Sequence, residues 1–178
     1  MRPADAGRVA ATAAPCVHMH AKLPLPSAAS CTCSKVRGLA RRLTGLYDAA
    51  LVAHGVTVTQ YAVLASIARA DKCIPVAELA RRLQMDRTTT TRLVAPLIES
   101  GLVLRLDGRK TRGDARARPL ELTTKGRRRL RAAAPAWQAA QREVGQLLGK
   151  RLRASLHRTT DAAGRALAAA FIEPVETL

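Results

Sequence analysis

Four consecutive threonines lie between two arginines, Arg87-Thr88-Thr89-Thr90-Thr91-Arg92, and these are the residues in the chain best suited to chemistry. The chemistry is recognition rather than bond-making. Threonine is a poor helix former, and a plain solvated helix start would more naturally use Glu, Lys or Ala. Short hydroxyls flanked by guanidinium groups suit close approach to phosphates and thymine methyls. A second cluster follows an Asp107-Gly108 turn signal: Arg109, Lys110, Arg112, Arg116 and Arg118, with Asp114 the only acid after the turn. On a strand, Asp114 and Arg116 share a face, so the carboxylate can fix the guanidinium for insertion into a groove. A charge run is also what a solvated loop looks like, but this one directly follows the threonine-rich turn. A third cluster, Cys16, His18, His20, Cys31 and Cys33, offers soft and borderline metal ligands. Its Cys-Thr-Cys lacks the usual two-residue spacing. No metal and no other cofactor is expected. No nucleophile motif, phosphate loop or HExxH stands among the Ser, His and acidic residues, so an enzyme is not expected.

The elements that must position these residues are legible around them. Pro75 opens a short helix whose Val76, Leu79, Ala80 and Leu83 face inward, with Glu78 near its positive end. Gln84-Met85 makes a tight connection. Asp86 then caps a second helix running to about Ser100, stopped by Gly101. Leu93, Val94, Leu97 and Ile98 are its buried side, and Pro96 predicts a local bend. Helix, tight turn and helix is the unit that places its second helix in a DNA major groove. Leu102–Leu106 and Pro119–Leu122 read as the strands of a hairpin carrying the basic cluster. The stretch from Pro75 to Thr123 is therefore the centre of the chain.

Upstream, residues 34–54 form a helix with Val36, Leu39, Leu43, Leu46, Tyr47, Ala50 and Leu51 on one face, and Gly55 stops it. Thr57 and Gln60 make a capping box for the next helix, with Val56 stapled to Tyr61. Val63, Leu64, Ile67 and Ala68 carry its buried face to about Ala70. Downstream, 123–148 and 150–172 are two long helices. The first carries Leu130, Trp137, Val144, Leu147 and Leu148; Leu152, Leu156, Leu167, Phe171 and Ile172 line the second. So much Leu and Ala cannot be buried by one small domain, and a two-fold dimer is the natural solution.

Composition agrees. The 178 residues carry 30 basic and 13 acidic side chains, a formal charge of +17. A polyanion is the implied partner, nucleic acid before membrane. Aromatics are only 2%, which disfavours binders that stack single-stranded bases on exposed rings. No apolar run approaches the ~18 residues a bilayer requires. The N-terminus does not read as a secretory signal, so the expected place is the cytoplasm, at the nucleoid, with reduced thiols. Residues 1–30 read as a disordered arm, and Met19 within it is a candidate start. Residues 31–174 are the folded domain.

The segments TVTQYAVLASI, VAELARRLQMDRTTTTRLVAPLIESGLV and DARARPLELTTKG resemble the MarR family of winged helix-turn-helix regulators over roughly residues 34–172. Asp114, Arg116, Leu122, Thr123 and Gly126 match the family's wing pattern, while Ala115 replaces an arginine. The resemblance implies a mainly α (α+β) fold. Residues 75–122 would be helix-turn-helix plus a two-stranded wing, and 34–54 and 123–172 the dimerisation helices. It places Thr88, Thr89, Thr91 and Arg92 at bases or phosphates, beside Arg87, and Arg116 in the minor groove, with Arg109 and Arg112 on the same wing. Cys33, fourteen residues before Tyr47, is similar to the peroxide-sensing branch of the family, although the second tyrosine of that branch, near Val58, is absent. Cys31 or Cys73 would be the resolving thiol; an inert cysteine is the alternative. Family members also bind phenolic anions, for which Tyr47, His54 and Tyr61 are candidates. The implied function is a homodimeric repressor, released from a pseudo-palindromic operator on double-stranded DNA by a small phenolic effector or an oxidant. An effector-independent, architectural DNA-binding protein is the alternative.

Overall fold

Hydrophobic residues spaced by three and four, punctuated by caps, build helices around a small antiparallel sheet in the described residues. The structure is a computed structural model that describes residues 30–70, 73–107 and 118–170. The expected arm over 1–29, Met19, the first metal-ligand candidates Cys16, His18 and His20, and the wing tip 108–117 lie outside the described residues. So do Phe171 and Ile172.

The order is α1 (Thr32–Leu51), α2 (Val58–Ala68), α3 (Val76–Leu83), α4 (Arg87–Glu99), β1 (Val103–Arg105), β2 (Leu120–Leu122) and α5 (Thr124–Ala170). The chain divides into two compact units, residues 1–36 and 37–178, and of the first only the opening of α1 and the two residues before it are described. The core of the second unit is Leu51, Val63, Leu64, Ile67, Leu79, Val94, Leu97, Leu120, Leu122 and Ala133, each at most 3% exposed.

Each boundary has a local cause. α1 ends earlier than the sequence suggested, because Val52–His54 tighten into a 3-10 turn that Gly55 closes at φ 63°. The Thr57–Gln60 capping box forms as expected: Gln60 N donates to Thr57 Oγ1 and Thr57 N donates to Gln60 Oε1. Asp48 adds to it by accepting from Val58 N at 2.6 Å. The buried face of α2 corrects the expectation at one point. Ala68 is exposed and Ser66 is buried, because the helix ends at Ala68 and its inward arc is centred on Val63, Leu64 and Ile67. Pro75 sits at the cap of α3 rather than inside it, with extended backbone. Gln84 takes a left-handed conformation (φ 54°) to make the tight connection. α4 runs as one helix through Pro96, whose missing N–H leaves only the carbonyl one turn earlier without its helical donor.

The wing strands pair in the register Val103↔Leu122, Leu104↔Glu121 and Arg105↔Leu120. They are shorter than the apolar pattern suggested. Leu102 N is used by Leu97 O to close α4, and Pro119 has a carbonyl for Leu106 N but no N–H to return. A contact not foreseen anchors the wing base: Ile74 and Leu120 exchange both backbone hydrogen bonds, at 2.9 and 2.8 Å. The long last element breaks at Gly149 (φ 68°, ψ 163°), a backbone conformation essentially restricted to glycine, so it is two helices as expected. No single helix among the described residues is long and apolar enough to cross a membrane.

Candidate nucleic-acid interface

The first turns of α4 are set by Asp86. Its carboxylate accepts from Thr89 N at 2.8 Å and from the Thr89 hydroxyl at 2.6 Å. These two bonds, the hydroxyl's first, hold the Asp86 carboxyl below its ordinary pKa. Arg87, Thr88, Thr89, Thr91 and Arg92 are all exposed, as the sequence reading required. Thr90 is not: it is 0% exposed, and its hydroxyl donates to Asp86 O at 2.9 Å. The six-residue turn is thus exposed on all but one position. The reason is helical geometry: Thr90 stands four residues before the buried Val94 and shares its inward face.

The hydroxyl geometry decides what this surface can offer. The Thr89 proton goes to Asp86 and the Thr91 proton goes to Arg87 O at 2.8 Å. A threonine hydroxyl has one proton and two lone pairs. In this arrangement Thr89 and Thr91 present acceptors and methyl groups, which match base amino groups and thymine methyls. They do not present donors to phosphate oxygens. Exposed Arg87 and Arg92 supply cationic donors instead.

Arg109, Arg112, Asp114 and Arg116 lie outside the described residues, so the pairing of Asp114 with Arg116 does too. Arg105 and Arg118, at the base of the wing, are exposed. Behind α4, Glu78 on α3 is paired with Arg81, and with Arg82 Nε at 2.8 Å, so it answers two side chains as well as a helix end.

The effector candidates are divided. Tyr47 and Tyr61 meet at one ring, Trp137, which by its spacing alone is no more than an apolar position. Tyr61 stacks on it at 5.6 Å and 15°, and Tyr47 lies tilted at 6.4 Å. The Tyr47 hydroxyl donates to Gln141 Oε1. Burial raises the pKa of both phenols, opposed by Arg153 at Tyr47 and Arg69 at Tyr61. The run Leu130, Ala133, Trp137, Ala140 and Val144, spaced by three and four, is the signal that places Trp137 inward. His54 offers its backbone instead, accepting from Arg129 Nη1 at 2.5 Å. Cys31 and Cys33 are exposed and free, and Cys73 is half-buried. The Ser34 backbone N–H, then the Ser34 hydroxyl, hold the Cys31 thiol below its ordinary range. Among the described residues no group of His, Cys, Asp and Glu could hold a metal ion.

Comparison with known proteins agrees with this geometry. The MarR family model matches residues 54–117. The transcriptional regulator MosR from M. tuberculosis, solved in complex with DNA, is 37% identical with a TM-score of 0.69; the match covers 79% of this chain and 98% of that one. A mutant MarR from E. coli complexed with operator DNA is 25% identical with a TM-score of 0.64, over 72% of this chain and 90% of that one. CouR bound to a 23-mer DNA duplex shares the fold at 21% identity, with a TM-score of 0.66 over 80% and 99%. No curated protein matches the sequence. With a two-stranded wing behind a helix-turn-helix, and a relative this similar over nearly its whole length, the chain belongs to the MarR family of winged-helix, DNA-binding transcriptional regulators.

Proposed function

We propose that this regulator is a homodimeric repressor that binds a pseudo-palindromic operator. The observation that carries the reading is the exposed, Asp86-capped turn holding Arg87, Thr88, Thr89, Thr91 and Arg92 at the start of α4. Two such turns, one per protomer, read two major-groove half-sites one helical turn apart. By the family resemblance, Arg116 would enter the adjacent minor groove, with Arg109 and Arg112 meeting DNA from the same wing. That MosR and MarR were solved on DNA supports this assignment. Dimerisation is supported by apolar side chains the single chain leaves in water: Leu39 on α1 is 36% exposed, and Leu147, Leu152 and Leu167 on α5 are 67%, 57% and 62% exposed.

Release follows from an effector. One route is a phenolic anion beside Tyr47 and Tyr61, which meet at the Trp137 ring. The other is oxidation at the start of α1. A hydroperoxide converts Cys33 to its sulfenic acid, with the alcohol or water leaving. The Cys31 thiolate then attacks that sulfur, forming the disulfide and releasing hydroxide as water. The exposure of both sulfurs and the lowered Cys31 thiol support this second route.

The test is binding by variants to the wild-type operator. Thr88→Ala, Thr91→Ala and Arg116→Ala should each weaken operator binding by about tenfold. Sedimentation should show an unchanged dimer. Full operator affinity in all three would overturn the assignment.

A further inference from the structure

Two side chains one turn apart on α5 reach the C-terminal ends of two different helices. Lys125 Nζ donates to Ser100 O, at the end of α4, at 2.8 Å. Arg129 Nη1 donates to His54 O, in the turn that closes α1, at 2.5 Å. Positions four apart share a helix face, so one face of α5 holds both ends. Among the described residues neither cation is paired with a carboxylate, and the ion pairs there join Glu78 to Arg81 and Arg82, and Glu121 to Arg127. Both therefore serve helix termini, where a positive charge is favoured.

The space between the two ends is a cleft open to solvent. A cavity of about 180 Å³ lies there, lined among others by Gly55, Gln60, Pro96, Leu97, Lys125 and Arg129. Close packing ordinarily fixes the angle between elements. The shared core, with Leu51 of α1 and Val94 and Leu97 of α4, packs the inner side, and across the open outer side the bridging side chains add a second tie between the two ends. The backbone is shaped for the bridge. A Cβ at Gly55 would stand 2.5 Å from Arg129 Nη1, so a side chain there would displace the arginine.

We propose that Lys125 and Arg129 form a strut that fixes α4 relative to α1 and so sets the half-site spacing the dimer reads. The proposal rests on the operator-binding dimer described above. In that dimer α1 helps to pair the protomers and α4 reads the groove. The angle between them within one chain then fixes the distance between the two recognition helices. Lys125 acts at the far end of α4, some 13 residues or about 20 Å from the Arg87 turn. Both are positioning residues, not DNA contacts.

The experiment uses the full chain and duplexes in which the selected half-sites are separated by the preferred spacer or by one base pair more or less. Lys125→Met and Arg129→Met keep the aliphatic stem over the cavity and lose the donor; Lys125→Arg and Arg129→Lys restore a cation. Wild type should lose about tenfold or more in affinity on a one-base-pair change, the size of one mismatch. The methionine variants should discriminate less than about threefold while binding a single half-site as wild type does, and the conservative variants should recover the preference. Wild-type spacing discrimination in the methionine variants overturns the strut. So does failure of those variants to fold, which would make the two residues merely structural. A wild type with no spacing preference overturns the dimer reading, and the strut with it.

Discussion

At the scale of single residues, Asp86 organises the recognition turn, and its behaviour with pH is a direct check. Two hydrogen bonds from Thr89 favour its charged form. A carboxyl whose folded-state pKa lies below its unfolded value of about 3.9 contributes stability above that value and loses it as pH falls through the folded pKa. Asp86→Ala should therefore lower the urea midpoint at neutral pH, and its difference from wild type should shrink in acid. A difference independent of pH would contradict the assigned cap. The cap itself was legible in the sequence, since an Asp before a Thr-rich helix start has few other uses. Burial of Thr90 was not. Four identical threonines carry no contrast in polarity, so only the phase of the helix, set by Val94 and Leu97 further on, separates the inward one from the rest. The direction of the hydroxyl protons was equally hidden, because it depends on which carbonyls and carboxylates the folded turn brings within reach.

At the scale of elements, the junction of wing and α5 is where the backbones come closest. Thr123 Oγ1 lies 2.7 Å from Gly101 O, to which it donates, and accepts from Gly126 N at 3.0 Å. A Cβ on Gly126 would meet Leu102 O at 2.0 Å. That neighbour is backbone and cannot swing aside. Gly126→Ala should cost about 1–3 kcal/mol, read from denaturant unfolding; a neutral outcome would mean that α5 does not approach the wing as described. Elements whose signals are local were readable before folding: the Thr57–Gln60 box, the Gly55 stop and the Gly149 break. The pairing of Ile74 with Leu120 was not, because a single bridge across 46 residues leaves no periodic trace. Trp137 lay between these cases. Its spacing from Ala133 and Ala140 marks it as inward, but only the fold brings Tyr47 and Tyr61 to its ring.

At the scale of the whole molecule, charge and exposed leucines carry the argument. The net +17 guarantees affinity for any duplex, and that affinity falls steeply with salt whether or not sequence is read. The leucines left in water on α1 and α5 are the surface that the proposed dimer would cover. Charge alone thus gives a generic DNA binder; under the proposed function, the Thr88–Arg92 turn, doubled by two-fold symmetry, makes it a selective one. The difference is measurable as the ratio of affinities for the selected operator and for random duplex of equal length, at one fixed salt concentration near physiological. Sequence-selective binding gives a ratio of at least about 10³. Equal affinity for the two duplexes would contradict it and leave an architectural protein that coats DNA.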